Sequence, residues 1–274
     1  MIASEPARLF GVIGWPIAHS RSPAMQNAAL RALGLTERYF AFAVEPARLA
    51  TAISGAQALG FRGLNVTIPH KEKALALCEP DALAREVGAV NTLIFEGAHI
   101  LGANTDVHGF RRLLDEAAPH RSFPRALVLG AGGAARAVVA ALHQIGVETT
   151  VASRRGAPLT VGNLTTSAIA WEPAALASAL AASDLLVDAT PRGLDPNAVA
   201  LDLSPLPDGA LVLDLVVRRE TRLTAAARAR GLAAETGTAM LLHQGAAALE
   251  RWLECSLSAE VIGAMRAALL ASLV

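Results

Sequence analysis

The run Leu127-Val-Leu-Gly130-Ala131-Gly132-Gly133-Ala134-Ala135-Arg136 constrains the fold more than any other stretch of this chain. It sets G-x-G-x-x-A between a short apolar segment, Ala126–Leu129, that reads as a strand and an amphipathic one, Gly133–Ile145, that reads as a helix. The first glycine permits a tight turn, the second lets a pyrophosphate approach the backbone, and a small third residue keeps helix and strand close. Free N–H groups and the dipole at the helix start favour an anion. A plain strand-to-helix turn would use the same glycines. The strand before and the helix after favour a dinucleotide site at Gly130, Ala131, Gly132, Gly133 and Ala134.

Strand and helix patterns alternate along the whole chain, which implies an α/β protein with a parallel or mostly parallel sheet. Strands are expected at Leu9–Ile13, Tyr39–Val44, Gly63–Thr67, Ala126–Leu129, Thr149–Ala152, Leu185–Asp188 and Leu211–Leu215. Helices are expected at Ala24–Leu33, Ala47–Leu59, Asp106–Glu116, Gly133–Ile145, Pro173–Ala181, Thr224–Arg230, Met240–Leu253 and Ser258–Leu270. At 274 residues there is room for two domains, and the break at Pro119-His-Arg-Ser-Phe-Pro124 precedes the second series of strands. Charge balances at 24 basic against 24 acidic residues, so neither nucleic acid nor an anionic membrane is favoured as a partner. No apolar run reaches the ~18 residues of a membrane span. The start, Met1 to Arg8, lacks a signal-peptide pattern, and two distant cysteines, Cys78 and Cys255, fit a reduced cytoplasmic protein. The seven histidines show no metal-ligand spacing, so no metal is expected. Trp15, Trp171 and Trp252 read as packing residues.

Two features point to chemistry. The second strand of the glycine-rich unit ends in Ser153-Arg154-Arg155, with no acid to hold a ribose hydroxyl. Guanidinium suits a phosphate dianion, so NADP is expected over NAD; a solvated basic turn is the plainer alternative. Of the 24 basic residues only two are lysine, Lys71 and Lys73, and the other 22 are arginine. A lysine can give up its proton where an arginine cannot, so lysine at Asn65-Val-Thr67-Ile-Pro69-His-Lys71 suits proton transfer. With Asn65, Asn91 and Asn104 at expected element ends, the segment reads as a polar pocket.

Six motifs, in order, resemble the shikimate dehydrogenase family over nearly the whole chain. They are Gly14-Trp-Pro16-Ile-Ala-His19-Ser20-Arg-Ser22-Pro23, the Asn65–Lys71 segment, Gly88-Ala-Val-Asn91-Thr, Asn104-Thr-Asp106-x-x-Gly109, the Gly130–Arg136 loop and Met240-Leu-Leu-His-Gln244. The resemblance implies an N-terminal α/β substrate-binding domain with a mostly parallel sheet and a Rossmann NADP-binding domain, separated by an active-site cleft. The implied boundaries are 1–105 plus 238–274 for the first and 106–237 for the second. By it, Lys71 and Asp106 form the acid/base pair, and Ser20, Ser22, Thr67, Asn91, Asp106 and Gln244 contact shikimate or 3-dehydroshikimate. Thr190, Leu215 and Gly237 join the glycine loop and Ser153, Arg154 and Arg155 around the cofactor. A cytoplasmic enzyme of aromatic amino acid and chorismate biosynthesis, monomeric or homodimeric, is implied.

The chain departs from the family pattern in three places. Gln26-Asn27 stands for His-Asn, Ala239 for a glycine, and Val217 for a tyrosine of the substrate pocket, in a loop one residue shorter. The only tyrosine is Tyr39. Two other functions therefore stay open beside shikimate oxidation. One is a paralogue acting on quinate or a related cyclic hydroxy acid, and the other a non-catalytic dinucleotide-binding or regulatory protein.

Overall fold

The computed structural model describes residues 9–195 and 200–273. The opening segment Met1 to Arg8, in which no signal pattern was expected, lies outside them. Contacts divide the chain into two units: Met1–Thr105 with Gly245–Leu273, and Asp106–Gln244. The return to the first unit falls at Gly245, seven residues beyond the expected 238 and inside a helix.

The first unit contains β1 (Leu9–Gly14), α1 (Ser22–Ala32), β2 (Arg38–Ala43), α2 (Leu49–Ala58), β3 (Phe61–Val66), α3 (Lys71–Ala74), β4 (Glu79–Pro80), α4 (Ala82–Val87), β5 (Thr92–Glu96) and β6 (His99–Ala103). Its sheet runs β2-β1-β3-β5-β6-β4. The sheet is mostly parallel, as expected, with β1-β2, β1-β3 and β4-β6 parallel and a single strand, β5, antiparallel to both β3 and β6. The cause is a hairpin over residues 92–103, closed by Gly97 at φ +58°. Pro46–Arg48 forms a short 3-10 turn, so α2 starts later than its pattern suggests. The buried core includes Ile13, Ile53, Phe61, Leu64, Val90 and Leu93. Trp252 closes another part of it, with its indole stacked on Phe10 and its Nε1 donating to the Leu93 carbonyl. Gly63 makes this possible, because a Cβ there would overlap the indole. Trp15, expected to pack inside, is instead exposed.

The second unit contains α5 (Asp106–Ala117), β7 (Arg125–Leu129), α6 (Gly133–His143), β8 (Glu148–Ser153), β9 (Thr160–Val161), β10 (Leu164–Thr165), β11 (Ser167–Ala170), α7 (Pro173–Ala181), β12 (Leu185–Asp188), β13 (Leu211–Asp214), α8 (Arg222–Ala229), β14 (Ala233–Thr236) and the start of α9 (Thr238–Leu253). The helix α10 (Ala259–Ser272) belongs to the first unit, where it packs on α1. The sheet order is β11-β8-β7-β12-β13-β14, with every pair parallel. This is a doubly wound Rossmann sheet, whose chain reverses direction of winding between β7 and β12. The strands β7, β12 and β13 are buried almost throughout, as apolar runs in a sheet covered on both faces should be. No helix among the described residues is long and apolar enough to cross a membrane.

Candidate active site

In the second unit the glycine loop sits at the carboxyl end of β7, where such sheets bind ligands. Gly130 has φ +107°, a conformation that a side chain would strain, and its N–H donates to the Ala152 carbonyl of β8. Gly132 is the N-cap of α6 and has no side chain to cap it. A Cβ on Gly132 would meet nothing within 4 Å, so the helix start faces open space. Ala135 is fully buried beneath. Exposed backbone donors over a dipole, with room in front, fit a pyrophosphate. Arg154 and Arg155 follow the end of β8, both exposed, and Ser153 is partly exposed.

Thr190 follows β12 and is locked to it: its N–H and hydroxyl both donate to Asp188 Oδ1, at 2.8 and 2.6 Å. Leu215 bonds through its N–H to the Asp188 carbonyl, and Gly237 lies hard against the Leu215 carbonyl. These predicted cofactor residues therefore share the same sheet end. Asp188 and Asp214 pair across β12 and β13. Burial pushes both carboxyls above the ordinary range, against the pull of the Thr190 hydrogen bonds on Asp188 and of Thr221 and the Val216 N–H on Asp214. Beside them a cavity of about 220 Å³ is lined by Arg192, Thr221 and Leu223 among others. Arg192 lies over the ring of Trp171, 4.7 Å from its centroid, so that tryptophan serves a cation–π contact.

Asp106 opens α5, where a carboxylate complements the helix dipole. Gln244 lies on α9, with its amide donating to the Leu241 carbonyl. These two helices pack closely: a Cβ on Gly109 would lie 2.7 Å from the Met240 carbonyl and 2.8 Å from Gln244 Cβ. His243 Nε2 and Glu116 Oε1, 2.6 Å apart, tie the helices a second time. Asp106 and Gln244 are thus set by one helix pair.

The first unit gathers Ser20, Ser22, Thr67, Lys71 and Asn91 around the ends of β1 and β3. Ser20 Oγ takes the N–H of Ser22 at 3.4 Å, at the start of α1. Thr67 donates its N–H to the Ile13 carbonyl, and the Lys71 carbonyl accepts from Val90 N–H, which ties the lysine segment to the Gly88–Asn91 turn. Lys71 is partly exposed at the start of α3, and Lys73 is exposed. His70, fully buried, places Nε2 2.7 Å from the Val44 carbonyl and so fixes the residue before Lys71.

The three asparagines differ from expectation. Asn65, Asn91 and Asn104 are 5%, 2% and 2% exposed, and they form a buried lattice more than an open polar pocket. Asn65 Nδ2 donates to the Asn91 carbonyl and to Thr92 Oγ1, both at 3.2 Å. Asn91 Oδ1 accepts from Thr105 N–H at 2.8 Å and from the Thr92 hydroxyl at 3.0 Å, while its Nδ2 donates to Thr105 Oγ1 at 2.9 Å. Asn104 Nδ2 donates to the Ala89 carbonyl. Thr92, Thr105 and Tyr39 also belong to this lattice and are not among the expected site residues. The only hint of Tyr39 is its uniqueness. The Gln26 amide, standing where the family pattern has histidine, is fully buried and donates to the Gly245 carbonyl. Among the described residues no cluster of histidine, cysteine or carboxylate could hold a metal.

Comparison with known proteins agrees with this geometry. Residues 12–93 match the family model described as the shikimate dehydrogenase substrate binding domain. The chain is 46% identical to the NADP(+) shikimate dehydrogenase of Thermosynechococcus vestitus over 263 residues, 91% of each chain. The shikimate 5-dehydrogenase of Thermus thermophilus, solved with NADP(H) and shikimate, is 34% identical with a TM-score of 0.81, over 97% of this chain and all of that one. A quinate dehydrogenase of Corynebacterium glutamicum, solved with NAD, is 31% identical with a TM-score of 0.82, over 97% and 99% of the two chains.

Proposed function

The chain belongs to the shikimate dehydrogenase family, and from that premise we propose that it reduces 3-dehydroshikimate to shikimate, reversibly and with NADP as cofactor, in the route to chorismate and the aromatic amino acids. The observation that carries this reading is the full-length likeness to an enzyme named for both shikimate and NADP. The open helix start at Gly132 and the exposed Arg154 and Arg155 support the cofactor assignment. Two free cysteines are in keeping with a reducing cytoplasm.

Bound NADPH supplies the hydride. Backbone N–H groups of Gly130, Ala131, Gly132, Gly133 and Ala134 would hold its pyrophosphate, with Ser153, Arg154 and Arg155 on the 2′-phosphate and Thr190, Leu215 and Gly237 along the rest. Ser20 and Ser22 hydroxyls donate to the substrate carboxylate. Thr67, Asn91 and Gln244 bond the ring hydroxyls, which small polar groups do without filling the ring's space. Lys71 Nζ gives a proton to the carbonyl oxygen as it gains negative charge, and in oxidation its neutral amine takes that proton back. The Asp106 carboxylate keeps the ammonium oriented toward that oxygen. Likeness to a quinate dehydrogenase, with Val217 leaving room that a tyrosine would fill, supports quinate as a second substrate.

The wild type should reduce NADP with shikimate. Lys71→Arg should keep KM within a few-fold while kcat falls by about 10²–10⁴, the usual worth of a general acid. Adding Asp106→Asn should cost much less than its effect alone, since the two act as a unit. Near-normal turnover by Lys71→Arg would show that the proton takes another path.

A further inference from the structure

We propose that Tyr39 is a positioning residue for the substrate, setting the Ser22 hydroxyl and, through Asn65, the amide of Asn91. It rests on the reading above that Ser22 and Asn91 contact the substrate. Tyr39 is the chain's only tyrosine and is 1% exposed, with its phenol held inside the first unit.

The phenol has a fixed place. Asn27, one turn into α1, brackets the Tyr39 backbone: its Nδ2 donates to the Tyr39 carbonyl at 2.8 Å and its Oδ1 accepts the Tyr39 N–H at 3.0 Å. The ring packs beside Trp252, with centroids 6.2 Å apart. Held there, the hydroxyl donates to Asn65 Oδ1 at 2.7 Å, and the Ser22 hydroxyl lies beside it. One residue thus touches α1 at both its first turn and its second, and β3 as well.

That placement decides which way the Asn65 amide faces. With Oδ1 on the phenol, Nδ2 points at the Asn91 carbonyl and Thr92 Oγ1. A flipped amide would set its oxygen against the Asn91 carbonyl, two acceptors in a buried site, which is costly. Thr92 passes the order on, its hydroxyl donating to Asn91 Oδ1 at 3.0 Å. The same Oδ1 accepts the Thr105 N–H at 2.8 Å, so the Thr92 hydroxyl and the Thr105 backbone together hold Asn91 in one orientation. Removing the phenol hydroxyl strands Asn65 Oδ1 without a donor, frees the amide to turn, and takes from Ser22 its polar neighbour. A support shell of this kind keeps site groups in a productive geometry.

Because Tyr39 is the sole tyrosine, protein grown on 3-fluorotyrosine carries a single fluorine label at this position. Its ¹⁹F resonance should shift when shikimate saturates the enzyme and stay unmoved with NADP alone. Tyr39→Phe should raise KM for shikimate by about tenfold, the effect of one lost hydrogen bond, with kcat within about threefold and NADP affinity unchanged. A merely structural tyrosine would lower thermal stability and leave KM alone. Should the Phe variant fail to fold, the fluorine experiment still decides. Turnover by the wild type with a resonance silent to shikimate, or an unmoved KM in a folded variant, overturns the role of Tyr39 alone. No shikimate oxidation by the wild type overturns the functional reading, and this role with it.

Discussion

The glycine loop of the second unit and the asparagine lattice of the first are built on opposite plans. At Gly132 the structure keeps space free and leaves backbone donors uncommitted. Around Asn65 and Asn91 nearly every polar atom is spent on the protein itself. A phosphate is recognised by what the chain omits, because backbone N–H groups need only access. A polyhydroxylated ring calls for side-chain groups aimed one by one, and aiming them takes a buried scaffold behind. The first plan depends on a single backbone turn, the second on many residues spread from position 22 to position 105.

This contrast can be broken by adding one methyl group to each unit. Gly63→Ala drives a Cβ into the Trp252 indole and should cost about 1–3 kcal/mol or more, read as a fall in thermal unfolding temperature. Gly132→Ala meets nothing in the protein and should leave that temperature unchanged while weakening NADP binding by calorimetry. Equal stability losses would mean that the loop is packed as tightly as the core. Gly132→Ala with full NADP affinity would mean that the open space is not where the pyrophosphate lies.

A smaller effect sharpens the comparison from the other side. Asp188 is a buried polar group of the second unit, with its carboxyl raised from 3.8 by burial. Below the unfolded value both states are protonated and the group costs nothing. As pH rises past it, the unfolded state ionises freely while the folded state resists, so stability is lost until pH has risen through the folded value. Asp188→Asn keeps Oδ1 as acceptor for Thr190 and removes that ionisation. Its unfolding temperature should exceed that of the wild type at neutral pH, with the gain vanishing as pH falls toward 3.8. A gain independent of pH would place its cause outside titration.

What could be read from the sequence follows the same division. The strands β7, β12 and β13 are unbroken apolar runs covered on both faces, so their pattern survives without context, and the loop after β7 carries its own signature. Strands with less to bury were missed. Ala233–Thr236 and Ser167–Ala170 are the two edges of the Rossmann sheet and contain Glu235 and Ser167 in place of an apolar run. Residues 92–103 form a hairpin that the motif residues at its ends concealed, and with it went the antiparallel pairing. Asparagines at 65, 91 and 104 announce a polar region, yet sequence alone does not separate a pocket lining from the buried frame behind it. Lys71 stood out by scarcity. Tyr39 is scarcer still, and only the 2.7 Å bond to Asn65 gives that scarcity a use.

The most direct test is the ratio of kcat/KM for NADP to that for NAD with shikimate as substrate, measured for the wild type and for a variant in which Arg154 and Arg155 are both replaced by serine. The wild type should oxidise shikimate and favour NADP, and the variant should lose about ten- to a hundredfold of efficiency with NADP, the worth of a charge-assisted phosphate contact, while NAD changes little. Equal efficiency with the two cofactors in the wild type, or no oxidation of shikimate with either, would contradict the account.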